Sequence, residues 1–524
     1  MPSPRLNLAE VLLGPPMRSD QIAVREPGRW WTYGELSARV AKIGGGLLSL
    51  GVRPGDRVAV LMPDGLDAVA SILGTIWIGA IATPLSELCH PIDLRDLVKD
   101  SGATVALVHG GLEPGFDEVR REMDSLREVL VLGPARGSEK VLEDLLVQAE
   151  PARPADTQAD DPALLVYGTS CDGAAPRGVL HAHEAPLASF RLYAQGVLAI
   201  SENDRVFSAA KLATPFGFGA GLVFPLAAGA QAIYLPLQPK TRNVLELLRS
   251  FRPTVMFASP SLYGQLVEDT EPNPPAAALM SSLRACVAGS ESLPATLASR
   301  VKDRLGVDVL ASYGLAEAFH SVLANTPSAQ RRGSSGLVVP GYRARVVDEE
   351  GQEVRENQIG TLELAGPSLA LGYWNQKQET EATFRNQWLH TGDRFLVDQD
   401  GFLFHCGRAD EFFKVGGKWV SPIEVERTLL LHEAVWECAV VGAEDADGLI
   451  KPYAYVVTNV GHEPGAELEQ ELIDFVKQAI APYKYPRWIE FVDQLPKGPH
   501  GKVLRFKLMP KPGKRRRTST TLPG

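Results

Sequence analysis

The chain has 524 residues, a length at which about three domains of roughly 150 residues are expected. Its 53 Lys and Arg against 63 Asp and Glu give a formal net charge of −10, and its 45% hydrophobic and 22% charged residues are ordinary for a globular protein. These values exclude a disordered, collagen-like or coiled-coil chain, and they give no electrostatic footprint for binding nucleic acid.

Short apolar runs alternate with helical patterns through the first four hundred residues. The runs at 57–63, 104–110, 127–133 and 231–237 are typical of strands in parallel sheets covered on both faces, which predicts an α/β fold with parallel or mixed sheets. The uncharged segment 68–85 is punctuated by Gly and Pro, so a buried helix followed by a buried strand is favoured over a membrane span.

The character of the chain changes near residue 406, where charges and glycines separate an apolar run from an amphipathic helix that begins near Pro422. Strands are predicted at 436–445, 452–459 and 487–496, with a helix at 467–481. We therefore expect a large N-terminal body of several subdomains at 1–408, a small α+β domain at 409–510 and a disordered basic tail at 511–524.

The cysteines and the N-terminus bear on the compartment. The five cysteines are widely scattered and show no CxxC spacing, which predicts free thiols in a reducing compartment. The N-terminal residues lack the basic-then-apolar order of a signal peptide. A cytoplasmic location is expected.

Seven sequence strings spread over more than three hundred residues carry the functional signal. In chain order they are VYGTSCDGAAPRGVLHAH (166–183), VAGSESLP (287–294), SYGLAEAFH (312–320), GTLELAGPSLALGYW (360–374), WLHTGDRF (388–395), GRADEFFKVGGKWVSPIEVE (407–426) and PYKYPRWIEFVDQLPKGPHGKVLRFKL (482–508). Their order and spacing resemble the adenylate-forming superfamily, and within it the benzoate-CoA ligase branch. The resemblance implies a ligase that joins a carboxylic acid to coenzyme A through an acyl-adenylate, using ATP and Mg²⁺.

Several residues acquire roles through this resemblance and their chemistry. Lys502 lies in a Gly/Pro-rich loop from which a cation can reach a carboxylate and an α-phosphate, as catalysis of adenylation requires. Asp393 offers an acceptor for ribose hydroxyls, Arg408 offers a guanidinium for phosphate, and Asp410 matches the hinge of a mobile C-terminal domain. The alternatives are that Asp393 caps a turn and that Arg408 forms a salt bridge at the joint.

A second group of candidates lies in the N-terminal body. Tyr313 supplies a ring for stacking on adenine, and Glu317 is the candidate catalytic ligand of Mg²⁺, preceded by Ala316 where the family has Thr. The further nucleotide-binding candidates are Gly289, Ser290, Glu291, Gly314, Thr169, Ser170, Gly173 and Arg177. The candidates for contact with coenzyme A are Gly416, Gly417 and Lys418.

The phosphate loop departs from the family pattern. It is one residue longer, Cys171 and Asp172 stand where the family has hydroxyl residues, and Arg177 replaces a Lys. A carboxylate about 5 Å from a phosphate charge costs on the order of 3 kcal/mol, roughly a hundredfold in affinity. The departure raises the hypothesis that adenylation is weakened or lost.

Three alternatives to an ordinary ligase therefore stay open. In the first, the protein only converts an acyl-AMP made by a partner enzyme into the thioester. In the second, it is a catalytically inactive adenylate-binding relative. In the third, it transfers the acyl group to the pantetheine of a carrier protein. The expected ligands in every case are small molecules, with neither nucleic acid nor a membrane as partner, and a homodimer is left open.

The acid is predicted from one segment and one histidine. Phe216 and Gly217 lie in the uncharged segment 212–229, which is either a packed helix–strand junction or a channel for an apolar ligand. His320 completes the acyl pocket by resemblance, with a satisfied buried histidine as the alternative. Empty volume beside Gly217, Gly219 and Gly221 would admit an aryl or bulky polycyclic carboxylic acid.

Overall fold

The structure is a computed structural model that describes residues 3–133, 140–167, 177–269, 275–445, 448–498 and 503–508. The chain forms two compact units. The first contains the described residues up to 391 together with 396–404, and the second contains 392–395 and the described residues from 405 onward. The domain boundary expected at 408/409 stays a prediction.

The helices of the first unit begin and end as follows: α1 Leu8–Leu13, α2 Tyr33–Ser49, α3 Leu66–Trp77, α4 Pro91–Ser101, α5 Glu113–Arg120, α6 Leu142–Gln148, α7 Glu184–Ser189, α8 Pro215–Phe218, α9 Phe224–Ala228, α10 Thr241–Phe251, α11 Pro260–Asp269, α12 Pro275–Met280, α13 Ala295–Leu305 and α14 Lys377–Thr383. Those of the second unit are α15 Pro422–Leu429 and α16 Ala466–Ala479.

The strands are β1 Ile22–Glu26, β2 Arg29–Thr32, β3 Arg57–Leu61, β4 Ile81–Leu85, β5 Val105–His109, β6 Glu128–Leu132, β7 Lys140–Val141, β8 Pro162–Tyr167, β9 Gly178–Ala182, β10 Arg205–Ser208, β11 Gln231–Ile233, β12 Val255–Ala258, β13 Ala285–Ala288, β14 Val309–Gly314, β15 Ser321–Ala324, β16 Leu337–Val338, β17 Arg343–Val347, β18 Gly360–Ala365, β19 Gly372–Tyr373, β20 Phe384–Arg385, β21 Trp388–Val397, β22 Leu403–Arg408, β23 Phe413–Val415, β24 Lys418–Val420, β25 Val435–Glu444, β26 Ile450–Thr458 and β27 Trp488–Phe491.

Two large sheets build the first unit. One has the order β16-β15-β14-β13-β12-β10-β11-β1-β2 and is parallel from β14 to β1. The other has the order β19-β9-β8-β4-β3-β5-β6-β7 and is parallel from β8 to β7. Helices cover the sheets because their strands are apolar on both faces. The α/β fold class predicted from the alternating apolar runs is confirmed.

A third sheet has the order β17-β18-β21-β20, with β22 beside β21. Strands β21 and β22 each contain residues assigned to the first unit and residues assigned to the second. In the second unit, β23 and β24 form a hairpin, and β25-β26-β27 form a sheet that packs with α15 and α16 around a buried core containing Val425, Leu429, Leu472 and Val476. The predicted small α+β arrangement is confirmed, although the last strand ends at Phe491 rather than near residue 496.

The uncharged segment 68–85 forms most of the buried helix α3 and the buried strand β4, as expected. The described part of the chain contains no helix long and apolar enough to cross a membrane.

Candidate active site

Five nucleotide candidates of the first unit lie together at one edge of the nine-stranded sheet. Gly289, Ser290 and Glu291 directly follow β13, and Tyr313 and Gly314 end the adjacent parallel strand β14. Ser290 has a φ of 69°, an uncommon backbone conformation for a residue with a side chain, and Ser261 Oγ donates to Glu291 Oε2 over 2.9 Å. The carboxyl ends of parallel strands are where α/β sheets bind ligands, so the placement suits a nucleotide.

Glu317 lies three residues after β14, in the short 3₁₀ turn Ala316–Ala318. Tyr373 Oη donates to Glu317 Oε1 over 2.6 Å, and the Ala370 amide donates to the Glu317 carbonyl over 2.8 Å. Phe319 follows with a φ of 68°, which is strained for a bulky residue and persists only where its surroundings hold it. The turn that carries Glu317 is therefore fixed from several sides.

Two further side chains hold the same turn through its carbonyls. His181 Nε2 lies 2.9 Å from the Ala316 carbonyl, and Ser368 Oγ donates to the Ala318 carbonyl over 2.8 Å. Burial lowers the pKa of His181 to about 4, although its bond to Ala316 opposes the shift, so the ring is neutral at physiological pH. The His181 proton is therefore placed on Nε2, facing the carbonyl that accepts it.

Tyr373 also meets the residue at the end of the phosphate loop. The guanidinium carbon of Arg177 lies 5.8 Å from the centre of the Tyr373 ring, within the range of a cation–π contact. The Tyr373 backbone is fixed because β19 pairs with β9, in the register Tyr373 to Val179. Tyr373 therefore connects Arg177 to Glu317. The loop candidates Thr169, Ser170 and Gly173, with Cys171 and Asp172, lie outside the described residues.

The surroundings of Glu317 fit a magnesium ion that is bound mainly by its substrate. Tyr373 occupies one carboxylate oxygen, and a carboxylate retains acceptor capacity at the other. The described residues contain no cluster of three or more His, Cys, Asp or Glu able to form a metal cage. Mg²⁺ is commonly bound by one or two carboxylates together with substrate phosphates, and one carboxylate meets that need.

Phe216 and His320 form one aromatic cluster. Their rings stack with centroids 4.8 Å apart, and His320 Nε2 lies 3.1 Å from the Phe216 carbonyl. The Ser321 amide donates to His320 Nδ1 over 2.7 Å, so Nε2 carries the proton and donates to Phe216. His320 is 2% exposed, and burial lowers its pKa to about 3. It is therefore a neutral ring that holds Phe216 in place by stacking on its ring and donating to its carbonyl.

The glycines near Phe216 do not leave empty volume, so that part of the substrate argument is wrong. A Cβ added to Gly217 would lie 2.1 Å from the Lys211 carbonyl oxygen, and one added to Gly219 would lie 2.4 Å from the His320 ring. The missing side chains let backbone and ring pack closely instead. Residues 215–228 of the segment 212–229 form packed helical turns. We call residues 211–217, which lead into the first of these turns, the acyl loop.

The neutral state of His320 predicts a pH dependence of stability. The unfolded chain takes up a proton near the ordinary pKa of 6.5, whereas the folded chain does so only near 3. The neutral His320 therefore contributes fully to the free energy of unfolding above pH 6.5. This contribution is lost as the pH falls toward 3, by up to about 1.4 kcal/mol per pH unit. Melting temperatures at pH 7 and pH 5 should therefore differ less for His320→Gln than for the wild type. The same substitution at the exposed His90 should leave the difference unchanged, and equal slopes for the His320 variant and the wild type would contradict the assignment.

In the second unit, Asp393 and Arg408 lie together. Arg408 Nη1 is 4.0 Å from Asp393 Oδ1, and Arg408 Nε is 3.0 Å from Asp410 Oδ1. Burial disfavours the charge of Arg408, but the two carboxylates outweigh it and raise the guanidinium pKa above its ordinary value. Asp393 is only 13% exposed and also has His405 Nε2 within 3.7 Å, so its carboxylate is held in place as an acceptor. Asp410 is exposed, and its role as a hinge stays a prediction.

The coenzyme A candidates form the turn of an exposed hairpin. Gly416 and Gly417, with φ values of 56° and 80°, join β23 to β24, and the backbone at both positions is in the left-handed region that favours glycine. Lys418 Nζ lies 4.9 Å from the Tyr483 ring centre. Lys502 lies outside the described residues.

The fold and this arrangement define an adenylate-forming enzyme, and comparison with known families agrees. Residues 16–374 match the model of the AMP-binding enzyme family, and residues 424–502 match that of its C-terminal domain. The chain belongs to this family, on its benzoate-CoA ligase-like branch, and is an acid–thiol ligase.

Individual relatives cover nearly the whole chain. It is 40% identical over 509 residues to benzoate–CoA ligase of Thauera aromatica, covering 96% of each chain. It is 38% identical to 4-hydroxybenzoate–CoA/benzoate–CoA ligase of Rhodopseudomonas palustris, covering 94% of this chain and 91% of the relative. Among solved structures, the anthranilate CoA ligase AuaEII in complex with anthranoyl-AMP is 36% identical, with a TM-score of 0.90 and 96% of each chain covered.

Proposed function

We propose that this protein joins an aromatic carboxylic acid of about the size of benzoate to coenzyme A through an acyl-adenylate. The observation that carries the proposal is the contact between the acyl loop and the nucleotide edge. A Cβ added to Gly289 would lie 2.4 Å from Cε2 of Phe216, so the Phe216 ring lies directly against the start of the nucleotide segment. An acid beside Phe216 and a nucleotide beside Gly289 would therefore be neighbours, as adenylation requires.

In the first half-reaction, an oxygen of the acid attacks the α-phosphorus of ATP, and pyrophosphate leaves. Tyr313 would stack on adenine, Asp393 would accept hydrogen bonds from the ribose and Lys502 would stabilise negative charge that develops at the reacting groups. Mg²⁺, held in part by Glu317, supplies charge neutralisation on the phosphates when bound. In the second half-reaction the coenzyme A thiolate attacks the acyl carbon, and AMP leaves. The side-chain-free turn at Gly416 and Gly417 would accommodate the pantetheine arm.

The substrate class follows from packing and from relatives. Several relatives are named for benzoate, hydroxybenzoate or anthranilate, all single-ring acids. The space beside Gly217 is filled by the Lys211 carbonyl and the space beside Gly219 by the His320 ring, so neither glycine enlarges the room beside Phe216. These observations favour a monocyclic aryl acid over the bulky polycyclic acid that the sequence also allowed.

A panel of acids tests this function. Purified protein is supplied with ATP, Mg²⁺, coenzyme A and one acid at a time, and thioesters are quantified by mass spectrometry. Benzoate or its amino and hydroxy derivatives should give the highest kcat/KM. A preference for acetate, for short linear acids or for polycyclic acids would overturn the proposed substrate class.

The unusual phosphate loop supports a second candidate function, in which adenylation is weakened and the protein mainly converts a supplied acyl-AMP. Cys171 and Asp172 replace hydroxyl residues there, whereas the residues proposed to bind the AMP half are retained. An acyl-AMP has no β- or γ-phosphate, so its binding would be unaffected, and a partner adenylating enzyme would then be needed. Comparing pyrophosphate release from benzoate and ATP with thioester formation from benzoyl-AMP separates the two functions. Activity with neither substrate would favour an inactive adenylate-binding relative.

Tyr373→Phe tests the support of Glu317. The variant loses the 2.6 Å bond to Glu317 Oε1, and loss of a partner that orients a metal ligand typically lowers activity by about 10-fold or more. Pyrophosphate release from benzoate and ATP should fall to this extent, whereas thioester formation from benzoyl-AMP should be unchanged because it involves no β- or γ-phosphate.

The matched control for this variant is Tyr33→Phe. Tyr33 is also buried, but its hydroxyl donates to the Ala230 carbonyl over 2.8 Å, and its loss should spare both half-reactions. An equal fall of both half-reactions in Tyr373→Phe would show that Tyr373 supports the fold in general rather than Glu317.

A further inference from the structure

Three charged side chains meet where the acyl loop begins. Asp64 and Glu87 follow β3 and β4, which are parallel neighbours in the eight-stranded sheet. Lys211 follows β10 of the nine-stranded sheet. Its ammonium lies 2.6 Å from Glu87 Oε1 and 3.9 Å from Asp64 Oδ2. This ionic cluster therefore joins the carboxyl ends of strands from both large sheets of the first unit.

The cluster is buried, so its members depend on one another. The Lys211 side chain is 5% exposed, and those of Asp64 and Glu87 are 12% exposed. An unpaired charge at this depth would be strongly unfavourable. Burial raises the pKa of Asp64 to about 7, while Lys211 opposes the shift and Glu87 adds to it. With Asp64 partly protonated, the positive charge of Lys211 is balanced mainly by the negative charge of Glu87.

Hydrogen bonds fix the backbone of the acyl loop, which begins at Lys211. Asp64 accepts from the Leu212 amide through both oxygens, at 3.2 and 3.3 Å. The Lys211 carbonyl accepts from the amide and the hydroxyl of Thr214, at 2.9 and 2.8 Å. Thr214 Oγ1 in turn accepts from the Gly217 amide over 3.1 Å and caps α8. The acyl loop is therefore held in one conformation by hydrogen bonds, and it begins at Lys211, whose side chain is anchored in the ionic cluster.

Phe216 lies between Thr214 and Gly217, the last two anchors of this loop, and its carbonyl accepts a hydrogen bond from His320 Nε2. Any displacement of Lys211 would shift the Phe216 ring against Gly289 and His320, which are packed without spare room. We propose that Lys211, held by Glu87 and Asp64, is a positioning residue that sets the acid specificity of the acyl pocket. This inference rests on the proposed function, in which Phe216 contacts the acid.

Lys211→Met tests the proposal by keeping most of the unbranched side chain and removing its charge. The KM for benzoate should rise on the order of 10-fold, because small displacements of a binding group have large effects. The KM for ATP should stay within about twofold, since the cluster positions the acyl loop and not the nucleotide residues. The ratio of kcat/KM for benzoate to that for 4-methylbenzoate should also move toward one. A purely structural role would lower the amount of folded enzyme without changing that ratio.

Arg284→Met is the matched control. Arg284 Nη2 lies 2.7 Å from Oδ2 of the buried Asp204, so this variant also removes a cation from a buried carboxylate in the first unit. Asp204 and Arg284 precede β10 and β13, so this pair lies at the amino-terminal ends of the strands, whereas Lys211 lies past the carboxyl end of β10. Arg284→Met should lower the melting temperature and leave the KM for benzoate unchanged.

If Lys211→Met does not fold, Asp64→Asn and Glu87→Gln carry the test, because each keeps a hydrogen-bonding group in place. An unchanged KM for benzoate and an unchanged acid ratio in these variants would overturn the proposal for Lys211 alone. A wild-type enzyme inactive on every aromatic acid, with ATP and as the acyl-AMP, would overturn the proposed function with it.

Discussion

Lys502→Ala is expected to lower acyl-adenylate formation by about 10²- to 10³-fold, the usual effect of removing one group that stabilises charge in a transition state. The reaction of benzoyl-AMP with coenzyme A should change little, because Lys502 is proposed to act on the adenylating step. Pyrophosphate release and thioester formation, measured separately, check the two halves of this prediction.

The described residues that precede and follow Lys502 in the chain contact one another within the second unit. Val503 forms an antiparallel bridge with Lys497, and the Leu504 amide donates to the Pro496 carbonyl over 2.8 Å. Arg505 forms an ion pair with the buried Glu426, and the carboxylates around Arg505 outweigh burial and raise its pKa above the ordinary value. The chain on the C-terminal side of Lys502 is thus anchored within the second unit.

Lys507→Ala is the matched control for Lys502→Ala, since it removes an ammonium from the same anchored segment. Lys507 lies 5.9 Å from the centre of the exposed Phe506 ring, and its loss should leave both half-reactions intact. Retention of pyrophosphate release within about twofold in Lys502→Ala would contradict a catalytic role, since a transition-state contact contributes far more.

Asp393→Ala is expected to impair both half-reactions. Its carboxylate is proposed to accept ribose hydroxyls, and hydrogen bonds to charged groups contribute about 1.5–3 kcal/mol, or roughly 10- to 100-fold in affinity. The KM for ATP and the KM for benzoyl-AMP should therefore rise together, whereas Lys502→Ala affects only the first reaction. Substrate titrations of each half-reaction distinguish the two patterns.

Asp474→Ala removes an exposed carboxylate of the same unit, which accepts from Lys477 over 2.9 Å, and serves as the control. It should leave both KM values unchanged. Asp393→Asn, which keeps one acceptor oxygen, should recover part of the affinity. If Asp393→Ala changes neither KM, Asp393 does not bind the ribose, and the alternative in which Asp393 caps a turn is favoured.

The sequence was most informative where chemistry and chain order coincide. The nucleotide candidates after β13 and within β14 came from the motif strings, and the structure places them side by side because parallel strands have their carboxyl ends at one edge. The buried helix and strand at 68–85 followed in the same way from an apolar run interrupted by Gly and Pro.

Contacts between distant parts of the chain could not be predicted. Tyr373 lies 56 residues from Glu317, and Lys211 lies 124 residues from Glu87, and no periodic pattern connects either pair. Tyr373 was present in a recognised string, yet nothing in that string shows where its hydroxyl points. The glycines beside Phe216 were misinterpreted for a related reason, because a sequence shows that a side chain is missing but not what fills its place.

The most direct test of the central claim is a single product analysis with the full-length wild-type protein. Benzoate, ATP, Mg²⁺ and coenzyme A are incubated with the enzyme, and benzoyl-CoA, AMP and pyrophosphate are quantified together, with a parallel reaction that contains benzoyl-AMP in place of benzoate and ATP. We predict benzoyl-CoA in both reactions, with equimolar AMP and pyrophosphate in the first. Absence of thioester from both reactions would contradict the account.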